Sequence, residues 1–245
     1  VRVLLVSDLH YELPKFDWIL ERAGEFDLLV VAGDLLSASS VVPLDVQIGV
    51  ALEYLNRFVA KVPTVACSGN HDLDDRGDDG EKLTAWIQEA RRAGVVVDGD
   101  STTIGDWTIT ACAWWEGPAT LAHLEDALAR ATEERAARWM WVYHSPPDGP
   151  LSLTGARSVG DPELPRLLER FHPDVVLCGH VHESPFVSGG GWVAQRSGAW
   201  LFNSGQLHGA DPAHIVIDLD RGDASWWSYE GSDETRFEVG PSVVG

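Results

Sequence analysis

The chain has 245 residues, 44% hydrophobic and 23% charged, an ordinary globular composition with length for one large domain. Its 38 acidic side chains against 18 Lys and Arg leave a net charge of −20. That charge repels phosphate backbones and argues against a nucleic-acid polymer as partner.

The opening VRVLLVSDLH has no secretory-signal layout, and no apolar stretch is long enough to span a bilayer. No membrane partner and a cytoplasmic location are expected. Three cysteines without paired spacing, Cys67, Cys112 and Cys178, read as buried thiols rather than a disulfide framework.

In chain order, VRVLLVS (1–7), DLLVVAG (27–33) and VPTVACSG (62–69) read as strands. Helical stretches over 14–25 and 44–61 separate them. In the second, Val50, Leu52, Leu55, Phe58 and Val59 recur at helical spacing. A third helix is predicted over 79–94, closed by Gly94.

From about 95 to 115 the pattern suggests a local β meander. A helix near 119–137, a strand at 139–145, a helix near 161–171 and the run DVVLCGH (174–180) follow. The last third is short strands with Gly-rich turns, and the tail 231–245 is expected to be loosely ordered. The strands are continuously apolar, so both faces of each sheet should be covered, and the intervening helices imply parallel pairing. One α/β domain over 1–230 fits best.

Five segments share one pattern, an apolar strand ending in polar residues. LLVSDLH carries Asp8 and His10, LVVAGD carries Asp34, and TVACSGNHD carries Asn70, His71 and Asp72. WMWVYHSPP carries His144, and VVLCGHVH carries His180 and His182. Taken alone each is a turn or a structural histidine; together they would converge on the ligand-binding edge at the strand ends. Leaving out His71 and Asp72, they offer two Asp, one Asn and four His. That is too many donors for one zinc site and suits two divalent metals. Mixed N and O donors without thiolate favour Mn, Fe, Zn or Co. Such a pair can clamp a phosphoryl group for in-line displacement.

The order Asp-x-His, Gly-Asp, Gly-Asn-His-Asp, His, Gly-His-x-His over residues 8–182 resembles the calcineurin-like metallophosphoesterases. The resemblance implies a four-layer α-β-β-α sandwich of two mixed β-sheets flanked by helices. It implies one metal on Asp8, His10 and His182, a second on Asn70, His144 and His180, and Asp34 bridging them. His71 would face the substrate as a catalytic group, oriented by Asp72, with Asn70 also contributing to substrate binding. The segment HSPPDGPLSLTGARSVGDPEL (144–164) before GHVHES is similar to the small prokaryotic phosphoesterases. LLSASS (35–40) lacks the acidic residue and arginine of the protein phosphatase branch.

The expected activity is hydrolysis of a small phosphomonoester or phosphodiester by a metal-bridging hydroxide, as a phosphatase or phosphodiesterase. The alternative is a non-catalytic metal-binding scaffold on the same fold. Arg157 is a further candidate for a phosphate oxygen, and His208 can approach the site. Trp114 and Trp115 read as core packing before pocket wall, and DLDDRGDDG (72–80) as a solvated loop. In an extended backbone His180 and His182 face one side.

Overall fold

In a computed structural model the chain is described over residues 1–209 and 211–239. In chain order the strands are β1 (Arg2–Val6), β2 (Leu28–Ala32), β3 (Thr64–Cys67), β4 (Asp75–Arg76), β5 (Lys82–Leu83), β6 (Ser101–Ile104), β7 (Trp107–Ala111) and β8 (Arg138–Val142). They continue as β9 (Leu153–Thr154), β10 (Arg157–Ser158), β11 (Val175–Cys178), β12 (Val193–Arg196), β13 (Ala199–Asn203), β14 (His214–Asp218), β15 (Asp223–Ser228) and β16 (Gly231–Arg236). The α-helices are α1 (Leu13–Arg22), α2 (Leu44–Val59), α3 (Pro118–Glu134) and α4 (Leu164–Phe171).

Two six-stranded mixed sheets carry the fold, in the orders β16-β15-β14-β1-β2-β3 and β12-β13-β11-β8-β7-β6. Strands β1, β2 and β3 are parallel, as are β7, β8, β11 and β13. Side chains alternate between two apolar environments along each central strand. Val3, Leu5, Val30, Met140, Val142 and Leu177 meet in a core between the sheets. Their neighbours Leu4, Val6 and Val31 pack outward with Phe16, Ile19 and Leu55 of α1 and α2. On the other outer face Trp139, Trp141, Val176 and Cys178 pack with Leu128 of α3 and Leu168 of α4. Three apolar layers between four structural layers make an α-β-β-α sandwich. They also explain the uninterrupted apolar strands, since both faces of each are buried.

Four expectations change. The segment 79–94 is not one α-helix. Its start is drawn into the β4–β5 hairpin, and only Trp86–Ala93 coils, as a 3-10 helix. The Asp74 carboxylate accepts the Ala85 and Trp86 N–H groups at 2.7 and 3.3 Å, which starts the coil late; Gly94 still closes it at φ 97°.

The expected meander reduces to the β6–β7 hairpin, because β7 turns its other edge to β8 in parallel. The solvated loop 72–80 contains β4, and the chain beyond it is clasped to α3. Glu81 accepts the Ala119 and Thr120 N–H groups at 3.0 and 2.9 Å. The expected loose tail is instead an edge strand over Gly231–Arg236, paired with β15 along its length, and Phe237 beyond it is buried in the central core. Residues 240–245 lie outside the described residues. The three cysteines are buried and free, and no described helix is long and apolar enough to cross a membrane.

Leu177 on β11 sits wholly buried between the sheets. Leu177→Ala should lower unfolding free energy by about 2–5 kcal/mol, read from urea denaturation. A loss below about 1 kcal/mol would mean the two sheets close over the gap.

Candidate metal centre

All five motif-bearing strands are members of the two parallel cores, so their C-terminal ends emerge at one rim. Past β1 and β2 the backbones stay side by side: Asp8 N–H donates to Gly33 O at 3.0 Å and His10 N–H to Asp34 O at 3.0 Å. Asp8 (φ 54°), His10 (46°), Asp34 (54°) and His180 (67°) all take left-handed backbone conformations. Non-glycine residues rarely do so, and each costs about 1–3 kcal/mol unless its surroundings enforce it. Those hydrogen bonds hold Asp8, His10 and Asp34, and His180 is held by its own N–H, which donates to the Asp8 carboxylate at 3.0 Å.

The ligand atoms of the side chains converge in two groups with separate members, Asp8–His10–His182 and Asp34–His144–His180, and in a third, His10–Asp34–His71, that draws one residue from each and adds His71. His10 Nε2 and His182 Nε2 lie 3.0 Å apart, and His182 Nε2 is 3.2 Å from Asp8 Oδ1. In the second group His144 Nε2 is 3.3 Å from Asp34 Oδ2. His10 Nε2 stands 3.8 Å from Asp8 and from Asp34 alike, so the two groups adjoin. His180 and His182 both line one cavity at the rim, yet they join different groups, as the resemblance implies. The strand ends at Cys178, and the left-handed turn at His180 sends the two rings into different groups.

His144 Nδ1 donates to Ala32 O at 2.7 Å, which leaves Nε2 pointing into the centre. That Nε2 and Asn70 Oδ1 are both buried without a hydrogen-bond partner among the described residues. An unsatisfied buried polar atom costs about 1–3 kcal/mol. His144 belongs to the cluster of carboxylates and imidazoles and Asn70 lines the same cavity as Asp34 and His180; cation coordination would satisfy such atoms, so the donor set fits divalent metal.

Electrostatics agree with that fit. Burial alone would raise the Asp8 pKa, but the hydrogen bond from His182 and the charges of His144, His182 and His10 hold it well below the usual carboxylate range. Burial likewise opposes, and His144 favours, an ionised Asp34, whose pKa is lowered. His144 shows the converse. Burial pulls it down, yet the carboxylates of Asp34 and Asp8 push it up to about 9. Burial and the charge of His144 bring His180 down to about 4.

Asp72 does not touch the His71 side chain, contrary to the expectation. Its buried carboxylate accepts backbone N–H groups from Asp34 and Gly69 at 2.8 Å and from Leu36 at 2.9 Å. Burial and the Asp34 charge push its pKa up to about 8 against the pull of those donors. His71 is oriented instead by the Ala38 N–H, which donates to Nδ1 at 3.2 Å, and by the His10 ring, edge-on at 4.6 Å between centroids. With Nδ1 accepting, a neutral ring carries its proton on Nε2.

Other side chains fall differently from expectation. Trp114 is pocket wall, its ring 5.4 Å from that of His180 and 5.7 Å from that of His144. Trp115 packs in the outer core and donates to Asp161 at 2.9 Å. Arg157 is exposed on β10 and does not line the cavity of about 270 Å³ formed by Asp34, Asn70, His71, His180 and His182; its hairpin neighbours Thr154 and Val159 do. His208 is exposed, 3.5 Å from Glu12, on an adjoining cavity. The motif reading missed Gln206, whose amide donates to Ser7 O and Asp8 O at 3.2 and 3.1 Å and braces the end of β1. A glutamine far along the chain gives no local signal of that contact.

Gly69 is constrained by approach. A Cβ there would lie 2.2 Å from Asp34 Oδ1 and 2.7 Å from His144 Nε2. Gly69→Ala should weaken divalent-metal binding by about 10- to 100-fold in a calorimetric titration; unchanged affinity would show that the crowding is relieved elsewhere. The metal-free His144 ring is protonated below about pH 9, so coordination through Nε2 must expel a proton. Affinity should therefore rise from pH 7 towards 9, with binding heats at pH 7 that depend on buffer ionisation enthalpy. Buffer-independent heats would contradict it.

The crystal structure of TT1561 from Thermus thermophilus shares this fold at a TM-score of 0.59 and 14% identity, covering 96% of this chain and 98% of that one. Yfce, a phosphoesterase from E. coli, aligns at 16% identity over 92% of this chain and 91% of its own, with a TM-score of 0.44. No curated protein matches the chain. The calcineurin-like phosphoesterase family model matches residues 1–184, which include every strand-end motif of the rim. The chain belongs to the calcineurin-like phosphoesterase family.

Proposed function

We propose that the chain is a dinuclear metal-dependent phosphoesterase acting on a small phosphomonoester or phosphodiester. The observation that carries this is the convergence of the Asp8, His10 and His182 and the Asp34, His144 and His180 ligand atoms at one rim, beside Asn70 Oδ1 and His144 Nε2, both buried without a hydrogen-bond partner. Asp8, His10 and His182 would hold one ion. His144, His180 and Asn70 would hold the other, with Asp34 between the groups. The N and O donor set suits Mn, Fe, Zn or Co. When bound, the ions supply Lewis acidity that activates water and neutralises phosphoryl oxygens.

The protein's own part is positioning and proton transfer. Asp72 fixes the loops that carry Asp34 and Asn70 through three backbone N–H groups. Trp114 walls the side of His144 and His180. His71, with Nδ1 engaged by Ala38, presents its Nε2 proton to the leaving oxygen. A −20 surface suits a small substrate better than a nucleic-acid polymer.

Two variants separate these parts. Asp34→Ala should abolish hydrolysis of p-nitrophenyl phosphate. His71→Ala should lose about 10²- to 10⁴-fold on an alkyl phosphate but far less on the nitrophenyl ester, whose leaving group needs no proton. Equal losses on both esters would remove His71 as proton donor. Two bound metals with no turnover across a broad phosphoester panel would make the chain a scaffold.

A further inference from the structure

A second cavity of about 450 Å³ adjoins the metal centre. It shares His71, His182 and Glu183 with the smaller cavity that holds Asp34, Asn70 and His180. A phosphoryl group at the metals therefore has room for its alcohol on the side where His71 stands.

The charges of this space are lopsided. Neither cavity is lined by an arginine or a lysine. Glu12 and Glu183 are the carboxylates of the larger one. Glu12 is matched by Lys15, a wholly buried lysine whose Nζ lies 2.9 Å away, with His208 at 3.5 Å. Glu183 accepts a hydrogen bond from the Thr154 hydroxyl. Among the described residues it forms no ion pair. One uncompensated carboxylate thus stands on the ridge between the cavities, opposite the positive charge that bound metals bring. The space is complementary to a zwitterion, with phosphate at the metals and a cation beside Glu183. An anionic alcohol would meet Glu183 with like charge, and that repulsion is the discriminating element.

We infer that Glu183 is a specificity-determining residue that selects phosphoesters whose leaving alcohol carries a positive charge, the phosphoesters of amino alcohols. This rests on the phosphoesterase reading. In the step, water oxygen bonds to phosphorus, the P–O bond to the alcohol breaks, the alcohol oxygen takes the proton held on His71 Nε2, and the proton released by the attacking water restores that nitrogen. A monoester yields inorganic phosphate and the free amino alcohol.

The test compares kcat/KM of the metal-loaded protein on phosphocholine, glycerol 3-phosphate and phosphoglycolate, which have cationic, neutral and anionic leaving groups. The expected order is cationic, neutral, anionic. Glu183→Gln, which keeps an acceptor for Thr154, should compress each step of that ranking by about 5-fold, the size of a solvent-edged ion pair. A flat ranking in the parent protein, or an unchanged ranking in the variant, overturns the proposal.

A second measurement needs no turnover. Choline should bind the metal-free protein in a calorimetric titration, and Glu183→Gln should weaken it by a similar factor; absence of choline binding to the parent protein also overturns the proposal. Loss of p-nitrophenyl phosphate hydrolysis, by contrast, strikes the phosphoesterase reading and leaves the choline result to decide the role of Glu183.

Discussion

The candidate metal centre depends on one buried carboxyl group. Asp72 gathers the N–H groups of Asp34, Leu36 and Gly69, and so ties the loop after β2 to the loop after β3. Asp34, Asn70 and His71 are all carried on those two loops. Three hydrogen bonds converging on one buried side chain leave the loops little freedom. A return contact reinforces them, since His71 N–H donates to Asp34 Oδ1 at 2.8 Å. Without Asp72, three buried donors would lose their partner and the ligands on both loops would lose their common reference.

The second link is between the sheets. His144 comes from the second sheet, and its Nδ1–H reaches the carbonyl of Ala32 at the end of β2 in the first. Asp8 accepts the His180 N–H at 3.0 Å, another bond from sheet to sheet. Gly179 makes this approach possible, since a Cβ there would fall 2.4 Å from Ser7 Cβ. The rim is thus a seam, and since each ligand group draws side chains from both sheets, relative slippage of the sheets would pull each group apart. The central apolar core of Leu5, Val30, Met140 and Leu177 holds that alignment.

At this seam the protein accepts local instability. Four ligand-bearing residues sit in left-handed backbone conformations, and two buried polar atoms lack partners. Left-handed backbone gathered on the residues of one rim marks a site shaped for binding rather than for folding. The rest of the molecule offsets them with three continuous apolar layers.

From the amino-acid order alone the fold class and the candidate centre were largely legible. Continuous apolar runs such as LLVVA and VVLC need covering on both faces, and the five polar strand ends have one place to meet. Those are local signals, periodicity and composition within a few residues. Tertiary structure decided what local signals do not carry. The split of His180 and His182 between two ligand groups, implied by the family resemblance, comes about through the left-handed turn at His180. Asp72 turned away from its neighbour His71, because three buried N–H groups offered it better partners. Arg157 fell on an exposed hairpin edge, Trp114 became a wall of the centre, and Gln206 reached back across the fold to Ser7. Residues 231–236 became an edge strand because β15 presented an open ladder to them. Each outcome depends on a group distant in sequence, and only the packed chain brings such groups within reach.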